Sequence, residues 1–358
     1  MKFSIVIPCY NAERFLKACL DTCLSASHEL IEIICVDDGS TDGTKAIIAS
    51  YEHAYSCVRS VLHKENQGTL EARRSGSLVA TGDYILYLDP DDVLIPEIVG
   101  RLSEELSLRQ RDVLYFGFDI FDEYDKSSGE RWSALRKGIP SFKSIFSQKE
   151  TYPGAVWACA WRRDLVLEAF EFMPKGYCIL SDDGVMLFAF LAFAKTVECI
   201  DAVGYKYRLG YGITARVAVT EERLLKKIRS VFYVSKFGPL YKARFREYSC
   251  YFDVFETKFW DVIYSELESY CANVDDGDVF TTEAFALYGE AVSLALMKRE
   301  RAFAGFLREL RAVRFVRALC KMKYCVLGVL MRLGIGKKDC CLRRTRLKQL
   351  CRSLSRKN

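Results

Sequence analysis

The chain has 358 residues, half of them hydrophobic, 13% aromatic and 28% charged, with a formal net charge of +5. This excludes a disordered or collagen-like chain and leaves room for one large domain or two ordinary ones. No apolar run approaches the roughly 18 residues of a membrane-spanning helix, and polar Asn11, Glu13 and Arg14 follow the opening apolar run too closely for a secretion signal.

In chain order, Phe3–Pro8 is predicted as a buried strand. A helix follows from Ala12, with Phe15, Leu16, Cys19, Leu20, Cys23 and Leu24 at helical spacing. Ile31–Val36 is a second buried strand, ending in Asp37-Asp38-Gly39-Ser40-Thr41-Asp42, where Ser40 and Asp42 read as caps of a helix starting near Asp42 or Gly43. A short strand at Val58–Leu62 and a helix from Gly68 to Ala80 come next. Asp83–Leu88 is a strand ending in Asp89-Pro90-Asp91-Asp92, Pro96 opens a helix, and Val113–Phe118 is a further strand. Residues 119–155 are less regular. Helices are expected at Arg163–Phe172 and Asp183–Ala194, a strand at Val197–Tyr207, and long helical stretches after about residue 217. Strands alternating with helices predict an α/β fold with a mainly parallel sheet and helices on both faces. Three regions are expected: an α/β domain over 1–217, a helical extension over 218–297 and a tail over 298–358.

The net charge hides an asymmetry. Residues 298–358 carry net +16, and residues 1–297 carry net −11. Leucines and aromatics interleave with the bases of the tail: Phe306, Leu307, Leu310 and Val313 share one helical face, with Arg301, Arg308 and Arg311 mostly on the other. A membrane surface uses both kinds of side chain, whereas nucleic acid has little use for the aliphatic ones. The expected partner is therefore an anionic membrane surface, not nucleic acid, with packing of the tail on the body as the alternative. The fifteen cysteines lack any C-x-x-C pair or zinc spacing with His28, His53 and His63, and read as small buried hydrophobes of a reducing compartment. A cytoplasmic chain, peripheral on the inner face of the cytoplasmic membrane, is the expectation.

In an open α/β sheet, ligands bind beyond the carboxyl ends of the strands. Three polar clusters fall there: Pro8-Cys9-Tyr10-Asn11, Asp37-Asp38-Gly39-Ser40 and Asp89-Pro90-Asp91-Asp92. Four or five carboxylates around one crevice repel one another. A divalent cation relieves that, and oxygen-rich sites favour magnesium or manganese with a phosphate ligand. The chain has no Walker-type P-loop, no G-x-G-x-x-G after its first strand and no G-x-S-x-G elbow. The residues alone thus point to a metal-dependent nucleotide site, with a structural turn cluster as the alternative.

The strings FSIVIPCYN, IEIICVDDGSTDGT, NQGTLEARRSG and GDYILYLDPDD, in that order, resemble the family 2 inverting glycosyltransferases of the GT-A fold. AVWACAWRRDLV, ILSDDGVMLFAFL and VGYKYRLGYGIT extend the resemblance to about residue 215. It implies a nucleotide-diphospho-sugar transferase fold followed by a helical C-terminal region. The donor would be a nucleotide-activated sugar, UDP-linked by preference, and the acceptor a glycan or lipid-linked hydroxyl in surface polysaccharide biosynthesis. Residue by residue, Asp38 would accept a hydrogen bond from uracil, with Pro8, Tyr10, Asn11 and Asp37 around the base. Arg73 would approach the diphosphate, with Arg74 adding charge nearby. Asp89 opens the Asp-x-Asp motif, with Asp91 or Asp92 holding Mn2+ or Mg2+. Asp183, or its neighbour Asp182, would be the general base. Trp157 and Trp161 are read first as core residues, with sugar stacking the alternative; Arg208 is open between an acceptor phosphate and a structural ion pair. The competing functional class is a non-catalytic membrane adaptor that keeps a nucleotide-sugar fold.

Overall fold

A computed structural model describes residues 1–27, 29–121, 127–132, 155–211 and 221–256, together with Phe259 and Val262. The expected amphipathic tail from residue 298 lies outside the described residues. The chain divides into two compact units. The first comprises Met1–Arg216 with Lys236–Thr257, and the second Val217–Ser235 with Lys258–Asn358. The segment 236–257 thus joins the first unit, where the sequence had suggested a boundary near 217.

In the first unit, β1 (Phe3–Cys9), β2 (Ile31–Asp37), β3 (Val58–Leu62) and β4 (Tyr84–Tyr87) form the parallel half of one sheet in the order β3-β2-β1-β4. Every residue of β1 and β2 is buried, as expected for strands covered on both faces. The helices α1 (Glu13–Leu24), α2 (Thr44–Ala54) and α3 (Thr69–Val79) connect them. Gly76 on α3 permits the closest approach: a Cβ there would stand 2.4 Å from Val6 Cγ1 and 3.0 Å from Val36 Cγ2.

The second half of the sheet is mixed. It contains β5 (Val93–Leu94), β6 (Val113–Phe121), β7 (Ser127–Trp132), β8 (Cys159–Arg162) and β9 (Val197–Arg208). The order continues β4-β8-β6-β9-β5, with β7 paired to β6. Strand β8 runs antiparallel to both neighbours, while β6 and β9 are parallel. Helix α4 (Glu97–Leu108) starts at Pro96 as expected, and α5 (Arg163–Phe172) follows β8 without a loop. Helix α6 (Asp182–Phe193) is apolar nearly all round and buried from Val185 to Leu191. Helix α7 (Glu221–Arg244) contributes its residues from Lys236 onward to the first unit. Here Phe237, Tyr241, Phe245 and Phe252 form a continuous aromatic cluster with Phe172, Phe188 and Phe193.

Candidate functional site

Strands β1 and β2 pair with Cys9 opposite Asp37, so both release the chain at the same edge of the sheet. The two emerging loops are laced together. Asn11 donates its backbone N–H to Ser40 Oγ at 3.0 Å and accepts the Thr41 N–H on Oδ1 at 2.9 Å. Glu13 accepts the Gly43 N–H at 2.8 Å, while Asp42 accepts the N–H groups of Glu13 and Thr44 at 3.1 and 3.0 Å. Asp42 therefore caps two helices, one more than its sequence context suggested. Pro8 is buried in β1 and Tyr10 is exposed at the rim. Asp37 turns its carboxylate back to the Ser40 N–H at 3.0 Å.

Asp38 is almost fully enclosed. It accepts the backbone N–H groups of Gln67 and Gly68, each at 2.8 Å, and lies 2.6 Å from His63 Nδ1. The other ring nitrogen of His63 is 2.9 Å from Ser75 Oγ on α3. The Asp38 carboxylate thus shapes the 63–68 loop, whose Gly68 has φ +91°, into the start of α3. Sequence reasoning missed His63; its one signal was a histidine just past the end of β3.

Arg73, on α3, is buried where three carboxylates meet. Its Nη1 donates to Asp182 Oδ2 at 2.8 Å and to Asp183 Oδ1, and its Nη2 donates to Asp89 Oδ1 at 2.8 Å. Three carboxylates from two distant segments meet on one guanidinium. Burial would weaken its charge, but Asp183, Asp89 and Asp182 outweigh that and hold Arg73 firmly cationic. Burial pushes Asp182 up to about 8 and Asp183 up to about 6, with Arg73 opposing both shifts and Asp89 adding to them. The side chain of Asp183 is 27% exposed and that of Asp182 only 10%. Helix α6 begins at Ser181, whose left-handed φ of 56° and ψ of 25° is uncommon outside glycine and asparagine.

Arg74 points away from this centre. It donates to the carbonyl oxygens of Phe170, Met173 and Pro174 and pairs with Glu71 at 3.2 Å. It serves the α5–α6 connection instead of adding charge at a diphosphate.

The two acids after Pro90 part company. Asp92 is buried, accepts the Tyr205 hydroxyl proton and accepts the Arg208 backbone N–H at 2.7 Å. Tyr205 also accepts the Asp89 backbone N–H at 3.3 Å, and β5 pairs with β9 through Leu94 and Tyr205. Asp92 thus pins the loop to β9. Asp91 is half-buried, and burial followed by the charge of Asp89 pushes its carboxyl up to about 6. A like-charged, partly desolvated pair is what a divalent cation relieves. Among the described residues, no three His, Cys, Asp or Glu groups are spaced to hold a metal ion by themselves. Magnesium and manganese sites of transferring phosphates commonly need only one or two carboxylates, the phosphates supplying the rest. Asp91 and Asp89 fit that pattern.

Both tryptophans are core residues. Trp161 is fully buried and donates its indole N–H to the Val156 carbonyl at 2.8 Å. Trp157 stacks on Tyr205 at 4.4 Å and Tyr207 at 5.4 Å, behind the Asp89–Asp92 loop. Arg208 donates Nε to the Asp91 carbonyl at 2.9 Å and lies over Phe121 and Phe15, so it buttresses the same loop.

Comparison with known proteins follows this geometry. Residues 4–170 match the glycosyl transferase family 2 domain. The uncharacterized glycosyltransferase EpsJ of Bacillus subtilis (strain 168) is 30% identical over 214 residues, covering 57% of this chain and 60% of that protein. A poly(ribitol-phosphate) beta-glucosyltransferase of Bacillus spizizenii is 35% identical over 156 residues, covering 43% of this chain and 22% of that protein. The chain spans less than two thirds of the length of either relative. A crystal structure of S. aureus TarS 1–349 in complex with UDP-GlcNAc overlays with a TM-score of 0.49 and 18% identity, covering 93% of this chain and 92% of that one.

Proposed function

We propose, from the match of residues 4–170 to glycosyl transferase family 2, that this chain moves a sugar from a UDP-activated donor to a hydroxyl of a glycan or lipid-linked acceptor, with inversion, in the building of a bacterial surface polysaccharide. The observation that carries this reading is the meeting of Asp89 and Asp183 on the Arg73 guanidinium at the carboxyl ends of β1, β2 and β4. A donor-side acidic loop and a second, partly exposed carboxylate from another helix then share one crevice.

In this reading Pro8, Tyr10, Asn11, Asp37 and Asp38 form the nucleotide-base side, with His63 holding Asp38 in place. Asp183 takes the proton of the acceptor hydroxyl. The acceptor oxygen forms its bond to the anomeric carbon as the bond from that carbon to the diphosphate breaks, and UDP leaves. One displacement guided by one base inverts the anomeric centre, in contrast to a retaining double displacement. Asp182, more buried and pushed toward its neutral form by that burial, backs Asp183. Asp91, with Asp89, would hold Mn2+ or Mg2+, which when bound neutralises charge on the departing diphosphate. The kinship with a poly(ribitol-phosphate) beta-glucosyltransferase supports an anionic glycan polymer as acceptor class. The net +16 of residues 298–358 supports a place on the inner face of the cytoplasmic membrane.

The test is release of UDP from a panel of UDP-sugars with manganese, with and without acceptor extract, followed by mass spectrometry of the product. Acceptor-dependent UDP release from one donor is expected. Absence of turnover with every UDP-sugar, in a chain that binds UDP, would favour the adaptor class.

A further inference from the structure

We infer that Arg73 is a positioning residue and not a diphosphate ligand: from beneath the crevice it fixes Asp183 and the Asp89 loop to one another, so that donor loop and base are set as one unit. This rests on the transferase reading above. Arg73 is 2% exposed, whereas the Asp89 and Asp183 side chains are 25% and 27% exposed. A ligand entering the crevice therefore meets the carboxylates first, and the guanidinium lies behind them with both terminal nitrogens engaged.

Its seat is rigid from below. The guanidinium carbon is 5.9 Å from the centre of the Tyr87 ring, and Tyr87 is buried with its hydroxyl 2.8 Å from Ser77 Oγ. Ser77 in turn donates to the Arg73 backbone carbonyl at 2.7 Å. The fork divides its work, Nη1 to α6 and Nη2 to the Asp89 loop. Only a planar fork with fixed donors spans both; a lysine ammonium is a single point charge. The start of α6 is also held from its other side. A Cβ on Gly184 would stand 2.5 Å from the Phe255 ring, so the helix turn that carries Asp183 packs tightly against residues 249–256. The charged and titratable groups around Asp183 are Arg73, Asp182, Asp89 and the buried thiol of Cys159.

The experiment uses the full chain with Arg73→Lys and Arg73→Gln. Three quantities are read: UDP affinity by calorimetry with manganese, turnover at saturating UDP-sugar, and the titration midpoint of the Asp183 carboxyl by 13C NMR, assigned with Asp183→Asn. Positioning predicts UDP affinity within about threefold of wild type and turnover lower by about 100-fold. It also predicts an Asp183 midpoint higher by about one unit in Arg73→Gln, because the opposing cation is gone. Arg73→Lys keeps the charge in the core, so it moves the midpoint less yet loses turnover comparably, and it carries the test where the glutamine variant does not fold. A loss of UDP affinity of about tenfold or more with an unmoved Asp183 midpoint would overturn the proposal and make Arg73 a diphosphate ligand. A wild-type chain that turns over no UDP-sugar sinks the transferase reading; the carboxyl titration needs no substrate and still decides whether Arg73 sets Asp183.

Discussion

Arg73 and Asp182 are 109 positions apart in the chain and meet at 2.8 Å. The same guanidinium serves Asp89 and Asp183, so three carboxylates share one positive charge. Such a group relieves its repulsion by holding a proton on the most buried member. Asp182 is that member, pushed up to about 8 by burial first and by its acidic neighbours next. Asp182 is thus the member held nearer its neutral form, and Asp183 is the member with access.

The first prediction follows from that division. Asp183→Asn keeps shape and removes the carboxylate proposed as the base, so turnover should fall by about 10²–10⁴-fold, the usual contribution of a general base. Asp182→Asn replaces the more buried carboxyl, the one pushed further toward its neutral form, with a neutral amide of the same size. It should stay within about tenfold of wild-type turnover, because no base is lost. Initial rates of UDP release at saturating donor decide between them. A dead Asp182→Asn beside an active Asp183→Asn would move the base by one residue.

The pH profile is the second. Asp183 is pushed up to about 6 by burial, with Asp89 adding and Arg73 opposing. A base must be ionised to accept a proton, so the rate should rise as pH rises through this value and level off above it. Turnover measured between pH 5 and pH 8 at saturating donor should show that acid limb near the Asp183 value. A rate that stays flat well below it would exclude Asp183 as the titrating base.

How far could this site be read from the chain? The parallel half of the sheet was legible, because β1, β2 and β4 are short apolar runs each ending in a polar turn, and so was the helix opening at Asp182-Asp183. Strands β5 and β8 were not, since two and four residues give no periodicity to read. The roles inside the acidic clusters also stayed hidden. Asp91 and Asp92 are adjacent and chemically identical, and only the pairing of β5 with β9 turns one inward to Tyr205. His63 and Tyr205 carry no local mark, because their partners Asp38 and Asp92 lie 25 and 113 residues away.

Asp91 and Asp92 should therefore fail differently. Asp91→Asn removes the charge proposed to face the cation. Manganese-dependent UDP binding by calorimetry should weaken, with the melting temperature little changed, and chelator should abolish transfer by the wild type. Asp92→Ala strands the buried Tyr205 hydroxyl and the Arg208 backbone N–H. Leaving such groups unpaired costs about 1–3 kcal/mol each, so this variant should melt well below wild type. Equal melting temperatures for the two variants would refute the structural role of Asp92.

At the opposite end of the strands, Glu32 offers a test of stability against pH. It is buried and accepts hydrogen bonds from Ser4 Oγ at 2.6 Å, Thr81 N–H at 2.5 Å and Thr81 Oγ1 at 2.8 Å. Burial alone would raise its carboxyl, but these bonds and the Lys2 charge outweigh it and hold it below the ordinary glutamate range. A carboxylate depressed in the folded state contributes stability that is complete above its unfolded value, about 4.3, and is lost as pH falls through the folded one. Glu32→Gln should lower stability at pH 7 by about 1–3 kcal/mol and flatten the loss between neutral and acid pH. Denaturant melts at several pH values check both; a mutant as acid-sensitive as wild type would assign that loss to other carboxylates.

The last prediction concerns the basic tail, whose argument is one of composition. Residues 298–358 carry net +16 against net −11 for the rest. Each Lys or Arg close to an anionic leaflet contributes about 1 kcal/mol, so a handful suffices for firm docking. The interleaved Leu307, Leu310, Leu327 and Leu330 add apolar surface for the acyl boundary. The net −11 of residues 1–297 would be repelled by the same surface, which would orient the molecule there. The full chain should float with anionic vesicles and not with neutral ones, and should float less at high salt, because screening shortens the reach of these charges. Replacing Arg343, Arg344, Arg346 and Lys348 by glutamine in the full chain should reduce flotation while leaving UDP release from the donor, measured with a soluble acceptor, unchanged. Flotation that survives both this substitution and high salt would assign membrane contact to apolar surface elsewhere, and no flotation at low salt would leave the tail to pack on protein.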